Sequence, residues 1–443
     1  MIGARRKADT LPRRLDTRSA TFDAEFADFL ATPRGETGDV SADVRAIIAD
    51  VRRRGTTALV ELTERFDGLA LDPETLEVDL IDLDALAAQC PQELCEAVDF
   101  AHDRIASYHA AQRPEDHRFI DHEGVELGWR WTPIGAVGVY VPGGRASYPS
   151  SVLMNVVPAR IAGVERIAMV APAPGGVLNP AVAYAARKAG VTEYWPVGGA
   201  QAVAALAYGC GPIRPVDKIV GPGNAWVAEA KRQVFGMVGI DTIAGPSEIL
   251  VIADGENDPA WMAADLLSQS EHDPASQSIL ITTDESLADR VAEAVESQLS
   301  GLETERVARD AWERNGAIIL AESLEQACAL SDLVAPEHLE LAVADPDALL
   351  AHIRHAGAIF LGRMTPEALG DYVTGSNHVL PTSRAARFAS GLGLLDFLKR
   401  SSIQRAGAEG FAALSGPALT LAEAEGLPAH ALSLAVRSNR GGK

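Results

Sequence analysis

Apolar residues in the first part of the chain recur at helical spacing. Phe22, Phe26, Phe29 and Leu30 form one stripe within residues 17–30, a stretch too short to fold alone and expected to pack on another domain or subunit. Val44, Ile47, Ile48 and Val51 form a second, with Ser41 as the expected N-cap and Gly55 as the stop. Leu59, Leu62 and Phe66 form a third that ends at Asp67-Gly68. From Trp131 the pattern changes to short apolar runs, each followed by a glycine or proline turn and an Ala-rich helix. That alternation predicts parallel α/β structure.

The apolar runs fall into two blocks. The first holds 136–144, 166–171, 193–197 and 217–220, and the second 248–252, 278–282, 317–320, 339–343 and 358–361. The expected fold is therefore α/β, two Rossmann-like parallel-sheet domains with small N- and C-terminal helical extensions. The expected division is an N-terminal helical extension over 1–32, a first Rossmann-like domain over 33–139 and 248–390, a second over 140–247, and a C-terminal helical extension over 391–443. Within that last segment, Phe397-Leu398-Lys399-Arg400 and residues 411–425 read as a small appended helical unit.

Composition narrows the possible partners. At 443 residues the chain exceeds a single typical core, so two or more domains are expected. Its 39 basic and 61 acidic residues give a net charge of −22, which repels phosphate backbones and anionic lipid heads. Neither nucleic acid nor a membrane is an expected partner. The basic opening, Arg5-Arg6-Lys7 and Arg13-Arg14, is not followed by the apolar stretch of a secretory signal, and no apolar run is long enough to span a bilayer. Cys90, Cys95, Cys210 and Cys328 are too few and too irregularly spaced for a disulfide framework. The expected location is cytoplasmic.

Candidate chemistry gathers around Ala335-Pro336-Glu337-His338-Leu339. Glutamate and histidine are easily tuned to exchange protons near neutral pH, and Pro336 fixes the backbone leading into them. An adjacent Glu-His pair is by itself most often a solvated surface pair. Three further clusters change the balance: Gln269 with His272, Asp371 with His378, and Glu425 with His430. Gln269 and His272 are three residues apart at the end of a helix opened by Asp258-Pro259, so they share a face on which a metal ion fits. Asp371 could complete that ligand set, and His378 could line the same pocket. Glu425 and His430 flank a Gly/Pro turn in a tail placed to reach another subunit's site. The Gly-x-Gly-x-x-Gly fingerprint is absent, but the turns at Gly221-Pro222-Gly223-Asn224 and Pro142-Gly143-Gly144 follow strands and suit anion binding at a helix start.

Taken together, six stretches resemble the histidinol dehydrogenase family: Gly221 through Gln233, Ile243 through Glu248, Ser268 through Asp273, Ala335 through Leu339, Gly370 through Pro381, and Glu425 through His430. The resemblance implies a two-step oxidation of L-histidinol via L-histidinal to L-histidine with reduction of two NAD, the last steps of histidine biosynthesis. It implies a homodimer with shared sites and one Zn2+ per subunit, held by Gln269, His272 and Asp371 of one chain and His430 of the other. Glu337 would activate water, and His338 would exchange protons with substrate. Ser247, His338 and Glu425, with the metal ligands Gln269, His272, Asp371 and His430, would contact substrate, and His378 would lie in the same pocket. Tyr140, Gln201 and Asn224 would contact NAD. The nearest rival is a paralogous NAD-dependent dehydrogenase of another small alcohol, such as a sulfonated diol. It is disfavoured because every motif position carries the residue expected of the histidinol family. A zinc hydrolase using Glu337 would need no NAD, and a non-catalytic binding module would show no turnover.

Overall fold

The computed structural model describes residues 12–34, 39–143, 148–243 and 245–438, so Arg5, Arg6 and Lys7 lie outside the described residues. Two parallel sheets organise them. The larger has six strands in the order Arg13–Asp16, Ala317–Leu320, Gln277–Thr282, Glu248–Ala253, His338–Ala342, Ala358–Leu361. The smaller has five, in the order Glu193–Trp195, Arg166–Val170, Ala136–Tyr140, Lys218–Val220, Gly239–Ile240. Every adjacent pair in both sheets is parallel.

Helices cover both faces of each sheet, which is why the central strands are continuous apolar runs. Along Glu248–Ala253 the side chains alternate. Leu250 and Ile252 join Phe22, Phe26 and Phe29 in one layer, whereas Ile249 and Val251 join Leu266, Val291 and Trp312 in the other. Truncating such a residue to alanine costs about 2–5 kcal/mol. In the five-stranded sheet Val137 and Val139 face one layer and Ala136 and Tyr140 the other.

The two-sheet α/β architecture matches the expectation from the apolar pattern. Four details differ. The N-terminal extension contributes a strand, Arg13–Asp16, as well as the helix Phe22–Ala31, and both belong to the six-stranded unit of the same chain. The helices over 41–110 pack on the five-stranded sheet rather than on the unit formed by 248–390. Val44, Leu59 and Leu62 meet Val203 and Leu206, while Val98 and Ile105 meet Leu153 and Val157. A division at 139/140 also falls inside the strand Ala136–Tyr140. Amphipathic stripes show which face of a helix is buried, not which sheet it is buried on, so chain order alone does not assign these helices to a sheet.

The third difference lies in the C-terminal segment. Leu398–Arg405 is not helical but pairs antiparallel with Glu126–Pro133, which in turn pairs with His117–Ile120. Its backbone partners are some 270 residues away, beyond any local signal. The helices Ala408–Ala424 and Pro428–Ser438 then form a hairpin. Finally, Ser41 is the first helical residue rather than the cap, its N–H held by Asp39 Oδ1 at 2.9 Å. Asp258 does cap its helix, accepting from Ala260 N, and Gly68 stops the third helix in the left-handed conformation at φ 64°.

Candidate active site

The two sheets face one cleft of about 350 Å³ with opposite ends of their strands. The five-stranded sheet presents strand C-termini through Tyr140, Pro142, Gly143, Pro222, Gly223 and Asn224. The six-stranded sheet presents strand N-termini, where Ser247 precedes Glu248–Ala253 and Glu337 precedes His338–Ala342. Helices returning from those strands run the other way. The C-terminal ends of Pro259–Ser270 and Glu367–Tyr372 therefore bring Gln269, His272 and Asp371 to the same cleft, with His378 on the loop beyond. A larger groove of about 880 Å³ near Tyr108 and Leu395 contains no imidazole, and its one carboxylate, Asp396, is tied to Lys218 at 2.7 Å. The imidazoles and free carboxylates gather in the smaller cleft.

Glu337 and His338 enter it through a strained turn. Ala335, a non-glycine residue, sits at φ 49°, a left-handed conformation that costs about 1–2 kcal/mol. Glu337 is buried, its Oε2 accepting from Glu248 N at 2.9 Å. The Nδ1–H of His338 donates to the Glu248 carbonyl at 2.9 Å, which leaves Nε2 facing the Asp371 carboxylate at 3.6 Å. Burial, with Glu248 and Asp371 nearby, pushes Glu337 up to about 8 against the opposing pull of His338. Burial also disfavours charge on His338, but the Glu337, Asp371 and Glu367 carboxylates outweigh it and raise the imidazole to about 10. Burial would likewise raise Asp371, yet His338 holds it down at about 2. Burial lowers His378, whose Nδ1–H donates to the Asp371 carbonyl at 3.0 Å.

This half of the cleft fits a cation. The Gln269 Oε1 and the His338 Nε2 are buried and have no hydrogen-bond partner, and the helices Pro259–Ser270 and Glu367–Tyr372 both end at this cleft. One ligand atom each from His338, Glu367 and Asp371 lies within 4.8 Å of the others. Of that trio only Asp371 was an expected ligand. Glu367 is already committed through both oxygens, to the Gln269 amide N–H and to Ser268 Oγ at 2.7 Å. It therefore orients Gln269 rather than offering a free oxygen of its own. Gln269, His272 and Asp371 all line the cleft and carry nitrogen and oxygen donors of the kinds zinc accepts, but His272 is not among the residues whose ligand atoms lie within 4.8 Å of one another.

The other half fits a nucleotide's phosphates. Gly221 adopts φ 111°, and a Cβ there would lie 2.0 Å from the Tyr140 carbonyl oxygen, so only glycine lets the two strand ends pass. Asn224 caps the helix Ala225–Val234 by accepting from Trp226 N and Val227 N, turning the helix N-terminus toward the cleft. The turn lies between the strands Ala136–Tyr140 and Lys218–Val220, where the strand order reverses, the usual ligand position in open parallel sheets. Tyr140 is buried, its hydroxyl accepting from Gly199 N at 3.1 Å. Gln201 is buried in the helix Gly199–Tyr208 and does not line the cleft.

Glu425 and His430 are not brought in either. Both are exposed on the C-terminal hairpin. The sequence is more decisive when compared with known proteins: the family model for histidinol dehydrogenase matches residues 30–438. The chain belongs to the histidinol dehydrogenase family. It is 58% identical to the histidinol dehydrogenase of Cereibacter sphaeroides over 97% of this chain and 99% of that one. It is also 58% identical to that of Rhodospirillum rubrum over 97% of this chain and all of the other. The crystal structure of histidinol dehydrogenase from Elizabethkingia anophelis superposes with a TM-score of 0.93 at 35% identity, covering 98% of this chain and 99% of that one.

As a histidinol dehydrogenase family member the chain is an oxidoreductase, and the rival with a different alcohol is not favoured. No helix among the described residues is long and apolar enough to cross a membrane. Three buried acids to which the sequence reading gives no role lie at the site or directly behind it. Glu367 lies one helical turn before Asp371, a spacing that puts both on one face and could have flagged it. Glu248 opens the central strand and contacts Glu337. Glu340, within the apolar run of its own strand, accepts from Glu367 N at 2.6 Å, and burial next to Asp265 raises it well above the usual range.

Proposed function

We propose that this chain oxidises L-histidinol through L-histidinal to L-histidine with two NAD, using one Zn2+ per site. The observation that carries the reading is an acid and an imidazole, Glu337 and His338, buried between a cation-suited wall and a phosphate-suited turn in one cleft. Gln269, His272 and Asp371 would hold the zinc, which when bound polarises the substrate oxygen and fixes the substrate's nitrogens. The Gly221–Asn224 turn would hold NAD, which would supply the hydride acceptor for both oxidations.

The protein's own groups handle the protons. His338 Nε2 takes the alcohol proton as hydride leaves the carbinol carbon, giving the aldehyde. Glu337 then takes a proton from water while the water oxygen bonds to the aldehyde carbon, and His338 returns its proton to the former carbonyl oxygen, giving the hydrate. Neutral again, His338 takes one hydroxyl proton of the hydrate as the second hydride leaves, giving the carboxylic acid, whose remaining proton is lost to water. Such positioned proton transfers are worth about 10²–10⁴-fold each. A dication held beside Asp371 would supply the positive charge that protonated His338 otherwise supplies, and so would favour the neutral imidazole that acts as a base. Ser247 and His378 line the pocket around the substrate.

The site is completed by a second copy, whose His430 joins the ligand set and whose Glu425 contacts the substrate. Support comes from the hairpin, which exposes Leu414, Leu421, Leu427, Leu432 and Val436 while holding both residues outside its own cleft. The test is NADH yield with L-histidinol in zinc-loaded protein. Two NADH per histidine are expected, and one NADH with aldehyde released would overturn the two-step reaction.

A further inference from the structure

At the base of the cleft, Glu248 and Glu337 clasp each other. Glu248 N donates to Glu337 Oε2 at 2.9 Å, and Glu337 N donates to Glu248 Oε2 at 3.3 Å. The second oxygen of Glu248 accepts from Ser383 N at 3.0 Å and from the Arg34 guanidinium, which reaches in from the N-terminal segment. Both side chains of that ion pair are largely buried. Ser383 and Arg384 adopt left-handed backbone at φ 53° and 65°, so the Glu248 contact also pins a strained turn beside the cleft. Three backbone or side-chain donors thus converge on one carboxylate that touches no reacting atom.

We propose that Glu248, charge-balanced by Arg34, is the positioning residue for Glu337, and that it governs the hydration step in preference to the first hydride transfer. The selectivity follows from how the two neighbours are held. His338 is fixed through the Glu248 backbone carbonyl, which no side-chain change removes. The Glu337 carboxylate accepts from the Glu248 backbone N–H, but the main chain that carries it depends on the Glu248 side chain, which accepts the Glu337 N–H and maintains the local strand geometry. Converting the carboxylate to an amide leaves one acceptor oxygen where three donors need two, so the clasp loosens without emptying the site. The inference rests on the function proposed above, in which Glu337 serves only the water addition.

The test supplies the two steps separately to the full-length, zinc-loaded protein: L-histidinol with NAD, and L-histidinal with NAD, each as a single turnover read by NADH. In Glu248→Gln the aldehyde reaction is expected to slow about ten- to a hundredfold, the scale of a misplacement near 1 Å, with the alcohol reaction slowed less than about threefold and KM values nearly unchanged. Arg34→Met should show the same bias, and Arg34→Lys should recover most of the aldehyde rate because the ammonium still balances the carboxylate. If Glu248→Gln yields no folded protein, the Arg34 pair decides by the same comparison. Equal slowing of both steps, or slowing of neither, overturns the positioning role. Wild-type protein that leaves L-histidinal unoxidised would overturn the proposed function itself, and the positioning role with it.

Discussion

The two sheets share an architecture, yet they meet the cleft with opposite polarity. The five-stranded sheet offers strand C-termini, a glycine turn and the N-terminus of Ala225–Val234, where the positive end of the helix dipole favours anions. The six-stranded sheet offers strand N-termini and the C-terminal ends of two helices, where carbonyls and carboxylates favour cations. One parallel fold used from its two ends therefore builds two complementary electrostatic walls. The same contrast appears in single residues. Glu193, on the five-stranded sheet and away from the cleft, is half-shielded by burial that would raise it, but Arg166 and Arg214 hold it below the usual range. Glu337 and Glu367, without an arginine, are pushed up to about 8 and about 7 by burial.

The largest effect expected is at the cation-facing wall. Glu337→Gln should cut L-histidinal oxidation about 10²–10⁴-fold while NAD binding stays near wild type, measured by single-turnover NADH and by NAD titration. Comparable loss of NAD binding would erase the division between the walls. Next come His338→Ala and His430→Ala, each inactive alone. Mixed one to one under subunit exchange they should recover about a quarter of wild-type activity, since in a symmetric dimer half the molecules are mixed and each carries one intact site. No recovery would place His430 outside the shared site.

A smaller effect is expected from Glu367→Ala, which frees the Gln269 amide and Ser268. Zinc affinity should fall about 10–100-fold, as losses of ligand-orienting partners do, followed by chelator competition and metal analysis. Unchanged zinc affinity would remove Glu367 from the cation wall. The smallest concerns Glu193. Because its folded pKa is depressed, its contribution to stability is present above the unfolded carboxylate range and lost as pH falls through the folded value. Glu193→Gln should flatten the acid limb of thermal stability by less than about 4 °C, with no change in zinc or NAD binding.

Much of the cation wall is legible in the sequence. The adjacency of Glu337 and His338, the Gln269/His272 spacing and the Asp371 turn each bring chemistry-bearing residues to strand or helix ends, and all line the cleft. Gln201, Glu425 and His430 do not line it in this chain. For the last two, a position on an exposed hairpin says nothing of what a second copy would bring. Glu248 and Glu367 escaped because an acid at a strand start or helix start looks solvated until its partners from distant segments are known. Arg34, Glu337 and Ser383 come to Glu248 from positions 34, 337 and 383.

From its own periodicity the chain determined two blocks of buried parallel strands, the caps at Asp258 and Gly68, and the surface charge that repels polyanions. Those properties depend on neighbours within a few residues or on sums over the whole chain. Tertiary structure alone decided that the helices over 41–110 cover the five-stranded sheet, that Arg13–Asp16 and Leu398–Arg405 are strands, and which end of each sheet faces the cleft. The reason is that ladder partners and layer assignments are contacts between residues hundreds of positions apart, and their free energy exists only once both sides are brought together.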